Sequence, residues 1–159
     1  MDDTGTIKWY IDVAYAVHPD MRSHTGAIMT LGKGAVTSVS SKQKVNARNS
    51  TEAELIGIDG IISNVLWTKR FMEHQVIKVK KNIVFQDNKS TILLAENGRH
   101  SAGKRSRHLN IKYFYITDKL EQKEMEIQYC PTDDMVGDYN TKPLQGSKFK
   151  KFKRIIMNN

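Results

Sequence analysis

Residues 6 to 17, "TIKWYIDVAYAV", alternate strictly: Ile7, Trp9, Ile11, Val13, Tyr15 and Val17 fall on one face, and Lys8, Tyr10 and Asp12 on the other. A period of two is the signature of a strand with one buried face, and it leaves Asp12 as a charge in mid-strand. "VHPDMRSHTG" (17 to 26) carries Pro and Gly turn signals, and "AIMTLGKGAVTSVSS" (27 to 41) reads as two more short strands joined by a Gly-Lys-Gly turn. Three strands on tight connections predict an antiparallel meander. From Thr51 to about Met72 the spacing becomes helical, with Leu55, Ile58, Ile62, Val65 and Leu66 on one broad face.

In the second half, "KNIVFQD" (81 to 87) is a compact strand and "NKSTILLAEN" (88 to 97) a short helix that follows at once. A strand after a long helix predicts a parallel βαβ step. A glycine-containing basic loop, "GRHSAGKRSRH" (98 to 108), precedes an amphipathic helix marked by Leu109, Tyr113, Ile116 and Leu120. The strand "EIQYCP" (126 to 131), the polar bend "TDDMVGDYNTKPL" and a basic helix with Phe149, Phe152, Ile155 and Ile156 as its apolar side complete the pattern. The order β-β-β-α-β-α-β-α predicts an α/β protein, a mixed sheet with helices packed against it.

Composition narrows the function. A chain of 159 residues, 39% hydrophobic and 26% charged, is expected to form one domain over 1–159 with a real core. The formal net charge of +8 points to a polyanionic partner, of which nucleic acid is the commonest. Cys130 is the only cysteine, which excludes an intramolecular disulfide and a cysteine-rich zinc site and fits a reducing compartment. No apolar run approaches the roughly 20 residues that a membrane span needs, and "MDDTGTIKW" is acidic and polar, unlike a signal peptide. The expectation is a soluble protein with no membrane partner, free or cut from a longer polyprotein.

Four acidic residues stand out, each with an ordinary alternative. Asp12 can be a charge that discourages edge pairing, Glu54 the reciprocal partner of Thr51 in a capping box, Asp87 a helix N-cap with Asn88, and Asp138 a turn residue. Taken together, Asp12 projects from the first strand, Asp87 ends the strand expected beside it, and Glu54 sits in the first turn of the helix between them. Ligand sites of open α/β sheets form where adjacent strand ends diverge. Carboxylates gathered there repel one another unless a cation neutralises them, and an all-oxygen donor set favours Mg2+ or Mn2+. Two such ions about 3.5 to 4 Å apart suit phosphodiester hydrolysis. A basic surface around an acidic pocket serves a polyanionic substrate.

Read in order, "YIDVAY" (10 to 15), "DMRSHTG" (20 to 26), "SSKQK" (40 to 44), "STEAEL" (50 to 55), "LWTKRFM" (66 to 72), "QDNKSTI" (86 to 92), "RHLNIKYFYI" (107 to 116) and "YCPTDDMVGDYNTKPL" (129 to 144) closely resemble the ribonuclease H domain of copia-type LTR retrotransposon polyproteins. The similarity covers about residues 7–156. It implies the ribonuclease H-like fold, a five-stranded mixed sheet with three antiparallel strands and then two parallel ones, flanked by helices. It also implies hydrolysis of the RNA strand of RNA–DNA hybrids with two Mg2+ (or Mn2+), and a reverse transcriptase domain upstream in the same polyprotein. The implied location is cytoplasmic, in a virus-like particle or replication intermediate, or nuclear.

The family's carboxylates, in chain order Asp, Glu, Asp, Asp, fall on Asp12, Glu54, Asp87 and Asp138, leaving Glu52 as a solvated or helix-dipole residue. By the resemblance, Asp12 bridges both ions, Glu54 and Asp87 hold the one near the leaving group, and Asp138 the one carrying the nucleophilic water. Asp133 and Asp134 are rivals for the last position. The mobile histidine that many cellular ribonucleases H carry before the fourth carboxylate has no counterpart in "YCPTDDMVG", and His100 and His108 lie in an earlier segment.

A hybrid is told from duplex DNA by 2′-hydroxyls in a wide minor groove, which short polar side chains can read. Ser50, Thr51 and Asn88 are the candidates, each also a possible cap. Arg22, Lys42, Lys44 and the cluster Lys104, Arg105 and Arg107 are candidates for phosphate contact or solvated surface charges, and "KFKKFKR" (148 to 154) either grips nucleic acid or is the polar face of a docking helix. The alternative functions are a catalytically silent nucleic-acid-binding or scaffold domain on the same fold, and another nuclease of that fold such as an integrase core.

Overall fold

The computed structural model describes residues 5–98 and 107–159, without the side chains of 107–110. Five strands, β1 (Thr6–Ala14), β2 (His24–Leu31), β3 (Ala35–Lys42), β4 (Lys81–Gln86) and β5 (Glu126–Tyr129), alternate with α1 (Ser50–His74), α2 (Lys89–Asn97), α3 (Arg107–Glu121) and α4 (Gly146–Met157). Two 3-10 turns, Thr132–Asp134 and Val136–Asn140, fill the bend before α4. The sheet order is β3-β2-β1-β4-β5. β1, β2 and β3 pair antiparallel, while β4 lies parallel to β1 and β5 parallel to β4. This is the mixed sheet expected from the sequence. Parallel neighbours cannot be joined by a hairpin, and α1 and the α2–α3 pair supply the crossovers.

Ile7, Trp9 and Ile11 of β1 are buried against Leu55, Ile58, Ile62 and Val65 of α1, with Tyr113 and Ile116 of α3 joining the same core. Each such side chain contributes about 1.5 to 3 kcal/mol on leaving water. The alternation stops earlier than the sequence pattern does. Ala16 adopts a left-handed backbone conformation (φ 52°) that ends the extended run, so Tyr15 and Val17 are exposed rather than part of the β1 core face. In α1 every residue from Glu52 to Ile58 is buried, because this end is packed against β1 on one side and against α2 and α3 on others.

A smaller core on the opposite face joins Ile28, Val136 and Phe152, with Tyr10, Tyr139 and Ile156 packed around them. It seats α4 and the 3-10 turn on β1 and β2. The apolar side of α4 is narrower than its sequence suggests: Phe152 is buried, whereas Phe149 stays 37% and Ile155 38% exposed. Phe149 stacks on Tyr139 with ring centroids 5.6 Å apart.

Candidate active site

The start of α1 decides what its two glutamates do. Asn49, not Thr51, is the N-cap: its side chain accepts from the Glu52 N–H at 2.9 Å, and the Glu52 carboxylate accepts from the Arg48 N–H. This reciprocal pairing is a capping box shifted two residues upstream of the Thr51–Glu54 pairing. Glu52 is buried in that duty, a correction to its expected place in solvent. Glu54 is thereby released from capping.

Asp12 stands near the end of β1, opposite Gly26 of β2, and Asp87 immediately follows β4, the parallel neighbour of β1. One carboxylate oxygen from each of Asp12, Glu54 and Asp87 lies within 4.8 Å of the others. Gln86, fully buried, holds two of the three in place. Its Nε2 donates to Glu54 Oε2 at 3.1 Å, and its Oε1 accepts from the backbone N–H groups of Asp87 (2.8 Å) and Asn88 (3.2 Å). Pattern reading passed over this residue, although an amide closing the apolar run "NIVFQ" was the available signal. Asp87 also accepts from the Thr132 hydroxyl at 3.0 Å, so its N-cap alternative falls to Asn88 alone, whose side chain accepts from Ser90 and Thr91 N–H.

Asp138 comes next to this trio on the 3-10 turn Val136–Asn140 and is itself wholly buried. The turn lies almost on the sheet: a Cβ on Gly137 would come 2.9 Å from Tyr10 O and 3.2 Å from Asp12 Cβ. Both oxygens of Asp138 are engaged, Oδ1 by Lys142 Nζ at 2.6 Å and Oδ2 by Lys148 Nζ at 2.7 Å. Lys142 also lies 3.4 Å from Asp12, which accepts from the Thr141 hydroxyl as well. Thr141, Lys142 and Lys148 carry no site signal in a pattern of carboxylates. The i,i+4 spacing of Asp138 and Lys142 is the one trace of the pair in the sequence. Of the rivals, Asp133 and Asp134 are exposed, and Asp134 pairs with Lys151 at 2.6 Å.

Burial pushes Asp12 up to about 6, aided by the charges of Asp138 and Asp87 and opposed by the Thr141 hydrogen bond and Lys142. Burial, then the charge of Asp12, raises Glu54 well above the usual carboxylate range despite the bond from Gln86. Burial works against the charge of Lys142, yet its bonds to Asp138 and Asp12 raise its pKa.

The other candidates are dispersed. Ser50 is exposed at the start of α1, and the Thr51 carbonyl accepts from Thr91 at 3.4 Å. Arg22 and Lys42 both pair with Asp20, at 3.4 and 2.7 Å, and Lys44 is exposed. Lys104 and Arg105, with His100, lie outside the described residues, as do the side chains of Arg107 and His108. Within "KFKKFKR", Lys148 and Lys151 turn inward to Asp138 and Asp134, which leaves the docking-helix reading for these two.

No protein-family model matches the chain. It is 29% identical over 151 residues, 94% of its length, to the retrovirus-related Pol polyprotein from transposon TNT 1-94 of Nicotiana tabacum. It is 30% identical over 153 residues, again 94% of its length, to that from transposon RE1 of Arabidopsis thaliana. Among solved structures, LC11-RNase H1, isolated from compost by a metagenomic approach, superimposes with a TM-score of 0.53 at 14% identity, covering 97% of both chains. The chain is a relative of copia-like Pol polyproteins with the ribonuclease H fold. It spans about a tenth of the curated Pol relatives, covering 11% and 10% of their lengths. The LC11 enzyme in complex with an RNA/DNA hybrid matches with a TM-score of 0.54 at 16% identity, over 82% of this chain and 88% of that one. The Prototype Foamy Virus protease-reverse transcriptase matches with a TM-score of 0.57 at 12% identity, over 84% of this chain and 19% of that one.

For a copia-like Pol relative with this fold, the donor set fits a hard divalent cation. Three carboxylates converge without a nitrogen or sulfur ligand, and two of them are raised by crowding and burial that a cation would relieve. The pH dependence follows in sign. Asp12 titrates near 6 in the folded chain against 3.8 ordinarily. The ion-free fold therefore holds an extra proton between those values, and that part of its stability is lost as pH rises through 6. A cation needs the ionised form and competes with that proton. Mg2+ should raise the melting temperature clearly at pH 8 and much less at pH 5, and an equal effect at both would contradict an Asp12 ligand.

Proposed function

We propose that the chain is the ribonuclease H domain of a retrotransposon Pol polyprotein and hydrolyses the RNA strand of RNA–DNA hybrids with Mg2+ or Mn2+. The observation that carries this reading is the meeting of Asp12, Glu54 and Asp87, from three separate elements, within 4.8 Å at the end of two parallel strands. These three would hold the ion. A bound divalent cation supplies a lowered pKa for the attacking water and charge neutralisation at the departing oxygen. The chain's own part is placement. Gln86 ties Glu54 to the Asp87 backbone, and the Thr141 hydroxyl orients Asp12.

An open groove beside the site, lined by Arg48, Asn49, Thr51 and Ser90, offers the short polar groups suited to 2′-hydroxyl and phosphate contact. It supports Thr51 as a substrate residue, with Ser50 and Asn88 at its margin by sequence. The Pol relatives and the reverse transcriptase neighbour support a polymerase domain in the same polyprotein as the working partner.

The test is cleavage of end-labelled RNA–DNA hybrid, double-stranded RNA and duplex DNA of one sequence. Mg2+-dependent cutting of the hybrid's RNA strand alone, stopped by chelator, is the expected outcome. Binding of the hybrid with no cutting under any divalent ion favours the silent-scaffold alternative, and equal cutting of duplex DNA removes the hybrid specificity.

A further inference from the structure

Asp138 is the one carboxylate of the four whose oxygens are both closed off by ammonium groups. Lys142 bridges from it to Asp12, standing 2.6 Å from the first and 3.4 Å from the second. A second divalent ion shared by Asp12 and Asp138 would need this same position. Magnesium takes its oxygens at about 2.0 to 2.1 Å, which leaves no room for an ammonium at 2.6 Å from the same carboxylate. The charges agree with the geometry: two ammonium groups and one divalent ion balance Asp12, Glu54, Asp87 and Asp138, and a further ion beside both lysines would leave the cluster positive.

The partners of this bridge differ in freedom. The Asp138 side chain is 1% exposed and is pinned by the packing of Gly137 on β1, whereas the Lys142 side chain is 39% exposed. The lysine can swing into water, and the carboxylate cannot follow. We propose, building on the hydrolase reading above, that Lys142 is the built-in occupant of the second cation position. The free protein then takes one divalent ion, at Asp12, Glu54 and Asp87. A second enters only when the Lys142 ammonium is drawn away, as an incoming backbone phosphate can do by offering it another anionic oxygen. Lys142 is in this role a positioning residue, which keeps a buried carboxylate paired until substrate is present.

The test counts ions without nucleic acid. Mn2+ is titrated into the full chain, with binding read by calorimetry and by the electron paramagnetic resonance of free Mn2+. One ion is expected for the wild type and two for Lys142→Met, with the second bound about tenfold or more tighter than in the wild type. Should Lys142→Met fail to fold without ions, Lys142→Gln keeps a polar head without the charge, and the wild type itself is read by lysine-selective NMR. The Lys142 side-chain resonances should hold through the first equivalent of a diamagnetic ion, Mg2+, and move only when hybrid is added. Two ions of equal affinity in wild type and variant, or a Lys142 signal that moves with the first equivalent, overturn the proposal. Hybrid cleavage by the same wild-type preparation separates the two readings: two ions with cleavage sinks the lysine proposal alone, and one ion without cleavage sinks the hydrolase reading alone.

Discussion

Asp87→Asn folds like the wild type and loses hybrid cleavage by more than about 100-fold, beyond the 10- to 100-fold that removing a mere supporting partner of a ligand costs. Asp87 is half-buried, and its side chain accepts from Thr132 at 3.0 Å, a bond an asparagine oxygen can keep. The bond from Asp87 to Gln86 uses the backbone N–H and is untouched. What disappears is one negative charge among three converging carboxylates. That charge helps to raise both Asp12 and Glu54, so without it their pKa values fall back and the ion-free fold gains rather than loses stability. Circular dichroism and thermal melting check the fold, and the hybrid assay checks the activity. A variant that melts well below the wild type, or cuts at a comparable rate, removes Asp87 from the proposed site.

Gly26→Ala acts on the same site through packing. Gly26 is the β2 partner of Asp12, and a Cβ there would lie 2.6 Å from Thr141 Cγ2, 2.8 Å from Asn140 Cβ and 2.9 Å from Gly137 O. Two of these belong to the turn that carries Asp138, and Thr141 follows it. The Asn140 side chain is also anchored, donating to Ala27 O, Val39 O and Ser38 Oγ. The turn cannot yield cheaply, and overpacking of this kind costs about 1 to 3 kcal/mol. For a chain of this size that is a drop in melting temperature of roughly 2 to 12 °C. Activity should fall further than stability, because a displaced turn moves Asp138, Thr141 and Lys142 together. An unchanged melting temperature with full activity would mean that the turn does not depend on this close approach.

The strands and helices were largely legible because each carries its own period. β1 showed its buried face residue by residue, and α1 showed Leu55, Ile58, Ile62, Val65 and Leu66, all of which are buried. Errors fell where a local choice had competitors. Asn49 and Thr51 are both good caps, and only the docking of α1 against β1, α2 and α3 selected Asn49, burying Glu52 in the capping box and turning Glu54 to Gln86. The extended pattern through Tyr15 and Val17 was broken by the backbone of Ala16, which no periodicity reveals.

The candidate site divides in the same way. That acidic residues at positions 12, 54, 87 and 138 belong together was readable from the motifs around them, since each motif is a local string. Their partners were not, because a lysine among 25 basic residues is ordinarily a solvated charge.

By itself the chain's order of residues determined the elements, the α/β class and the carboxylates set at the strand ends, all of which rest on short-range spacing. Only the folded arrangement decided that three of those carboxylates converge, that the fourth is held by Lys142 and Lys148, and that Gln86 and the glycines at 26 and 137 set the distances. The physical reason is that pairing across 130 residues of chain, as between Asp12 and Lys142, is selected by burial and charge in three dimensions and leaves no periodic trace along one.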